Sequence, residues 1–161
     1  MTEKEYNQCV NLFADNVYRF IFKNLGNKED SKDVVQTAFE KLWINRAQVD
    51  NVRSKSFLFT VAYNQMIDHI RKNKRITYRE KFNEESKVTY QNHNSVKKIL
   101  DEALEKLNGT QKSLVLLKDY EGYTYEEIGK ITGLSESQVK VYLHRARLQL
   151  RNYRVKAENV L

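Results

Sequence analysis

Apolar residues recur at three- and four-residue spacing along most of the chain, and strand-like alternation is not evident in it. Val10, Phe13, Val17 and Phe20 keep that spacing and predict a first helix from Glu5 to Leu25, with Gly26-Asn27 as its stop and the restart of the next. A second helix is expected from Lys28 to Asn45. It has Val35, Phe39, Leu42 and Trp43 along one side, and Asp30 and Asp33 near the N-terminal end, where aligned peptide dipoles favour carboxylates. The third begins near Arg53 and runs to about Arg75, with Leu58, Val61, Ala62 and Ile70 as core positions. From Ile76 to about Ser95 the periodicity gives way to polar and charged residues, which predicts a linker. Ile99, Leu100, Ala103, Leu104 and Leu107 then restore helical spacing. Asn108 or Thr110 stands where it can cap a further helix through Leu117, after which Glu121-Gly122 turns the chain.

The helix and turn signals agree best between Thr124 and Arg154. Thr124 stands three residues before Glu127, and Ser135 three before Gln138. Each spacing lets a hydroxyl cap a free backbone N–H while the acid or amide reaches back to the cap's own N–H. Gly133 lies between them and can close the first helix in the left-handed conformation, so the reading is helix, tight turn, helix. In the second of these helices Val139, Leu143, Ala146 and Leu150 form one buried stripe. The other side carries Gln138, Lys140, His144, Arg145, Arg147, Arg151 and Arg154, with no carboxylate between Glu136 and Glu158. Such a face suits the DNA major groove, where Arg, Lys and Gln pair base edges and neutralise phosphates; the plainer alternative is a solvated amphipathic helix.

Composition narrows the partners. The 161 residues carry a formal charge of +7, which favours a polyanion. A hydrophobic content of 40% is enough for compact cores. No run approaches the roughly 18 consecutive apolar residues of a membrane span, and MTEKEYNQ lacks the apolar core of a signal peptide, so a cytoplasmic protein without membrane insertion is expected. The single cysteine, Cys9, is read as a small core residue, and the three histidines have no zinc-finger spacing. Zero prolines and five glycines favour an all-α chain. The expected architecture is two small helical domains, 5–75 and 96–155, joined by a flexible linker at 76–95, the second containing the helix-turn-helix.

The far end of the third helix is strongly basic, with four cations among the five residues from Arg71 to Arg75 and Phe59, Tyr63, Asn64 and His69 just before them. Aromatic and amide groups beside a cationic track could stack and hold unpaired bases; a helix C-terminus carrying favourable cations is the alternative. Asp68 and His69 point about 100° apart on a helix and make a poor acid–base pair. With no phosphate loop or metal spacing, no catalytic residue, cofactor or metal is expected.

The order of these features resembles the extracytoplasmic-function (ECF) sigma factors over nearly the whole chain. The resemblance rests on DSKDVVQTAFEKLW at Asp30–Trp43, FLFTVAYNQMIDHIRKNKR at Phe57–Arg75 and YEGYTYEEIGKITGLSESQVKVYLHRARLQLR at Tyr120–Arg151. It implies a second helix that docks on the clamp helices of the RNA polymerase largest subunit, with Asp33 and Gln36 at polar contact positions and Phe39 and Trp43 on nearby turns. Thr37 stands where an acid is often found, and Trp43 read alone is a packing anchor. The resemblance further implies that the third helix melts the minus-ten promoter element. Asn64 would read a flipped nontemplate base, with Tyr63, Asp68 and Arg71 near it and Lys72, Lys74 and Arg75 for phosphates. Asp68 could instead pair with Lys72 one turn on. In the C-terminal domain Gln138, Lys140, Val141, His144 and Arg145 would face the minus-thirty-five duplex and Arg147 and Arg151 its phosphates. Leu107-Asn108 replaces the family's usual Leu-Pro. The polymerase flap region and an anti-sigma factor are the further partners implied. The alternative from another class is a free-standing helix-turn-helix regulator, though the chain shows no strong heptad seam for a dimer.

Overall fold

The computed structural model describes the backbone of residues 1–77 and 95–160. Among them every regular element is helical, and they form two compact units.

The first unit holds α1 (Glu3–Leu25), α2 (Lys28–Ile44) and α3 (Ser54–Thr77), each packed on the other two. Thr2 starts α1 with a capping box: the Glu5 N–H donates to Thr2 Oγ1 at 3.1 Å and the Thr2 N–H to Glu5 Oε2 at 2.8 Å. Gly26, at φ 71°, ends it, and the Asn27 side chain accepts from the Asp30 N–H to start α2. Val17, Phe20, Ile21, Val34, Ala38, Leu42, Leu58, Phe59, Ala62 and Met66 are buried, with the Phe20 and Phe59 ring centroids 5.6 Å apart. Cys9 is buried as expected. Its thiol donates to Ser54 Oγ at 3.1 Å and that hydroxyl donates to the Asn51 carbonyl at 2.7 Å, so both polar atoms are satisfied.

Two registers differ from the sequence expectation. In α2 the buried row is Ser31, Val34, Ala38 and Leu42, and Val35 is half-exposed. In α3 the core positions are Leu58, Phe59, Ala62, Tyr63 and Met66, and Val61 and Ile70 are half-exposed. α3 packs against both α1 and α2, so its buried arc is wider than the single stripe that helical periodicity predicts.

The second unit holds α4 (Ser95–Lys106), α5 (Gly109–Val115), α6 (Tyr125–Thr132) as far as Gly129, and α7 (Glu136–Val160). Asn108, not Thr110, caps α5, and Gln111 reaches back to complete the box. The chain continues past Val115 as a π-helical turn, Leu116–Tyr120, closed by the Glu121 N–H donating five residues back to the Leu116 carbonyl. Gly122, at φ 75°, then redirects it toward α6. Ala103, Leu104, Leu107, Leu114, Leu117, Val139, Leu143 and Ala146 form the buried centre, whereas Leu100 is exposed. Lys112 is buried among them, its ammonium 2.6 Å from Glu105 Oε1.

Candidate nucleic-acid interface

The turn between α6 and α7 is built from local chemistry. Thr124 and Glu127 cap α6 reciprocally, and Gly133, at φ 80°, closes it with its N–H donating to the Gly129 carbonyl at 2.8 Å. Gly129 escaped the sequence reading. A Cβ built there would lie 2.8 Å from the Leu134 carbonyl oxygen, so the turn folds back too tightly to admit any side chain at that position. A glycine inside a helix of eight residues, where it costs propensity, is the signal that could have found it. Ser135 then opens α7: its Oγ accepts from the Gln138 N–H at 3.1 Å, and its own N–H donates to Gln138 Oε1 at 3.0 Å. The Gln138 side-chain carbonyl oxygen is therefore committed to the cap, which leaves its NH2 group as the donor.

Val139, Leu143 and Ala146 are buried as predicted and Leu150 is half-exposed, which leaves Lys140, Val141, His144, Arg145, Arg147 and Arg151 on the solvent side. The cations there are not equivalent. Arg147 Nη2 lies 2.9 Å from Asp119 Oδ1. Burial pulls the Arg147 pKa down, but the Asp119 carboxylate and the Tyr125 hydroxyl outweigh it, so the pKa sits above the ordinary arginine value. The π-helical turn carries Asp119 to this place. Lys140 is 3.4 Å from Glu136 and 5.5 Å from the Tyr125 ring, whose centroid also has Lys118 at 4.6 Å. His144, Arg145 and Arg151 make no hydrogen bond or ion pair to another described residue.

On α3, Asn64, Asp68 and Arg71 fall at four- and three-residue spacing on one exposed row, with Lys72 and Lys74 exposed beside it. Asp68 forms no ion pair with Lys72 or with any other described residue. The Arg75 side chain lies outside the described residues. Tyr63 is 7% exposed, and burial pushes its phenol pKa up. Together with the fully buried Phe59 it belongs to the core, so neither ring offers an open face to a base. The apolar interior took these two aromatics because α3 is covered on two sides. His69 Nε2 is 3.1 Å from Asp30 Oδ2 and 2.9 Å from Asn73 Nδ2, which ties α3 to the first turn of α2.

The outer side of α2 presents Asp33 and Gln36, the latter with its Nε2 donating to Glu40 Oε1 at 3.2 Å. Thr37 spends its hydroxyl on the Asp33 carbonyl at 2.9 Å. Phe39 is buried at 8% exposure, so it supports this face rather than lining it. Trp43 is 37% exposed: the Arg46 guanidinium sits 3.9 Å from its ring centroid and the Tyr6 ring meets it at 4.9 Å and 66°. Trp43 is thus neither a core anchor nor free, and with Glu3, Tyr6, Asn7, Glu40 and Ile44 it lines an open cleft. Among the described residues no group of three His, Cys, Asp or Glu converges on a metal-sized site, and no helix is long and apolar enough to cross a membrane.

Comparison with known proteins places these faces in context. Residues 9–76 match sigma-70 region 2 and residues 97–150 match sigma-70 region 4. The chain is similar to the ECF RNA polymerase sigma factor SigE of Mycolicibacterium smegmatis, 28% identical over 159 residues, covering 94% of this chain and 62% of that protein. It is also similar to the RNA polymerase sigma factor SigV of Bacillus subtilis, 29% identical over 139 residues, covering 86% of this chain and 84% of that protein. Its fold is similar to that of the sigma factor RpoE of Bartonella quintana, solved in complex with the anti-sigma factor NepR. That match has a TM-score of 0.79 at 23% identity and covers 93% of this chain and 96% of that one.

Proposed function

The chain belongs to the extracytoplasmic-function sigma factors of the sigma-70 family, and we propose that its three exposed faces divide the work of promoter-specific initiation between them. It joins core RNA polymerase, opens the minus-ten element and binds the minus-thirty-five element as duplex. Region 2 and region 4 occurring in one chain favour this subunit over a free-standing helix-turn-helix regulator. The assignment is 5–75 to the region 2 module, 76–95 to the linker and 96–155 to the region 4 module.

The outer row of α2 serves as the polymerase face, with Asp33 and Gln36 as polar contacts and Trp43 as the aromatic one, addressed to the largest-subunit clamp helices. Thr37, with its hydroxyl turned onto its own backbone, adds little polarity there. On α3 the row of Asn64, Asp68 and Arg71 receives the separated nontemplate strand. Unstacking a base step costs a few kcal/mol, which the extruded base and its phosphates must return. With Tyr63 in the core, recognition falls on the Asn64 amide, which offers both donor and acceptor to a base edge, while Arg71, Lys72, Lys74 and Arg75 hold phosphates. On α7, Arg145, Lys140 and the Gln138 NH2 group are donors for base acceptors, Val141 fits a thymine methyl, and His144 and Arg151 complete the contact. Arg147 chiefly braces α7 against the π-helical turn.

The reading is carried by Asn64, exposed and without a hydrogen-bond partner among the described residues, on one row with Arg71, in a chain whose residues match both regions. The protein acts without catalysis of its own and in the cytoplasm, where its template lies. An anti-sigma factor covers these faces, as the one solved with the Bartonella protein suggests by analogy. Co-elution with core polymerase tests the assembly: wild-type protein shifts into the polymerase peak, and failure to do so in any buffer removes the subunit reading.

A further inference from the structure

The buried stripe of α3 runs Leu58, Ala62 and Met66 at four-residue spacing, and the next positions on that side of the helix are His69 and Asn73. The stripe turns polar there. Past Met66 every α3 side chain through Lys74 is half-exposed or exposed, so Arg71, Lys72 and Lys74 stand about 8–12 Å beyond the last core residue at 1.5 Å per residue. Polar contact with α2 takes over where apolar packing ends. His69 Nε2 meets Asp30 Oδ2 at 3.1 Å and Asn73 Nδ2 at 2.9 Å, and His69 makes no other hydrogen bond or ion pair to a described residue, from α1, from α2 or along α3. On its own helix the nearest charged groups, Asp68, Arg71 and Lys72, lie about 100°, 160° and 60° around the axis from it.

The two neighbours of Nε2 make opposite demands. With a proton, Nε2 donates to the Asp30 carboxylate and has no lone pair for the Asn73 NH2 group. Without one, it accepts from Asn73 and faces the carboxylate acceptor to acceptor. The imidazolium gives Asp30 a charge-assisted bond, whereas the neutral ring gives an ordinary bond or, as the Nδ1–H tautomer, none. The protonation state of one ring therefore decides how firmly the end of α3 is held.

We propose that His69 is a positioning residue for strand capture: protonated, it fastens the end of α3 to Asp30 and fixes Arg71, Lys72 and Lys74 relative to Asn64. The proposal rests on the assignment of the Asn64 row to the nontemplate strand. Histidine changes charge between about pH 5 and pH 8, so capture strengthens toward the acid end of that range.

The test uses the full chain assembled with core RNA polymerase on promoter template, with permanganate reactivity at the minus-ten element read from about pH 6 to about pH 8 beside closed-complex binding. Wild type is expected to open more promoter than His69→Ala by about two- to tenfold near pH 6, the gap narrowing toward pH 8. His69→Gln keeps an NH2 donor for Asp30 but does not titrate, so its ratio to His69→Ala is expected to stay constant with pH. Asp30→Asn is expected to abolish the wild-type response. Closed-complex binding is expected to hold in all three. A wild-type to His69→Gln ratio that does not change with pH overturns the proposal. So does a full pH response in Asp30→Asn, or a parallel loss of closed-complex binding, which would make His69 structural only. Amide hydrogen exchange over residues 70–74 reads the tie without DNA: wild type is expected to be better protected than His69→Ala near pH 6 and to approach it near pH 8, and equal protection throughout overturns the proposal. Asn64→Ala separates the underlying assignment, because undiminished opening there removes the strand-capture reading while the exchange result still reports on the His69–Asp30 tie.

Discussion

Arg147 Nη2 lies 2.9 Å from Asp119 Oδ1, so a side chain that sequence position alone assigns to phosphate is held by the protein's own carboxylate. Arg145, two residues earlier, has no such partner among the described residues. Duplex binding should therefore separate them. Arg145→Ala is expected to cost about 1–3 kcal/mol of minus-thirty-five affinity. Arg147→Ala should act mainly on stability, by about 0.2–1 kcal/mol, because both partners are half-exposed and water screens the pair. Asp119→Ala should free Arg147 and steepen the salt dependence of duplex binding by about 0.9 in logarithmic slope for one added phosphate contact. Filter binding across a salt series checks all three. Equal losses for Arg145→Ala and Arg147→Ala would remove the distinction.

Gly129 sets the closeness of the helix-turn-helix. Gly129→Ala improves helix propensity by about 1 kcal/mol. The Cβ would nevertheless meet the Leu134 carbonyl at 2.8 Å, a backbone atom that cannot yield without opening the turn. A net loss of about 1–3 kcal/mol in denaturant unfolding is expected, together with weakened duplex binding. Gly109→Ala is the control. Nothing lies within 4 Å of its Cβ and its φ is not positive, so it should leave stability unchanged or raise it by about 0.4–1 kcal/mol. A Gly129→Ala protein as stable as wild type would show that the turn tolerates a side chain.

Asn64→Ala should impair promoter opening while sparing closed-complex binding, since in the proposed role the amide meets a base only after extrusion. Permanganate reactivity of unpaired thymines at the minus-ten element, measured beside filter binding of the closed complex, reads the two steps apart. A parallel loss in both assays would move Asn64 out of strand capture. Tyr63→Phe should leave opening intact, because the buried ring keeps its packing.

The proposed polymerase face makes its own prediction. Asp33→Ala and Trp43→Ala should each weaken assembly with core enzyme, on the order of tenfold for a central contact, while leaving the fold intact because both residues are exposed. Thr37→Ala should have little effect, as its hydroxyl already bonds the Asp33 carbonyl. Competition assembly against a reference sigma factor measures this, and unaltered competition by both variants would place the docking face elsewhere.

What was legible in the chain was local. The capping pairs Thr124–Glu127 and Ser135–Gln138, the left-handed Gly133 and the α7 stripe all act within a few residues, and each stands where the spacing put it. The misses needed tertiary knowledge. Tyr63 and Phe59 read as accessible aromatics because periodicity reports one apolar stripe, whereas α3 is covered by two helices. Val34 and Ala38 displaced Val35 from the α2 core for the same kind of reason. Asp119 reaches Arg147 across 28 positions through a π-helical turn that no local pattern announces.

Run-off transcription with purified core RNA polymerase tests the central claim most directly. On a template carrying the cognate promoter, adding this chain is expected to produce a transcript of defined length that core enzyme alone does not make, and Asn64→Ala is expected to reduce it. Unchanged background transcription with the wild-type chain, under conditions where a reference sigma factor is active, would contradict the account.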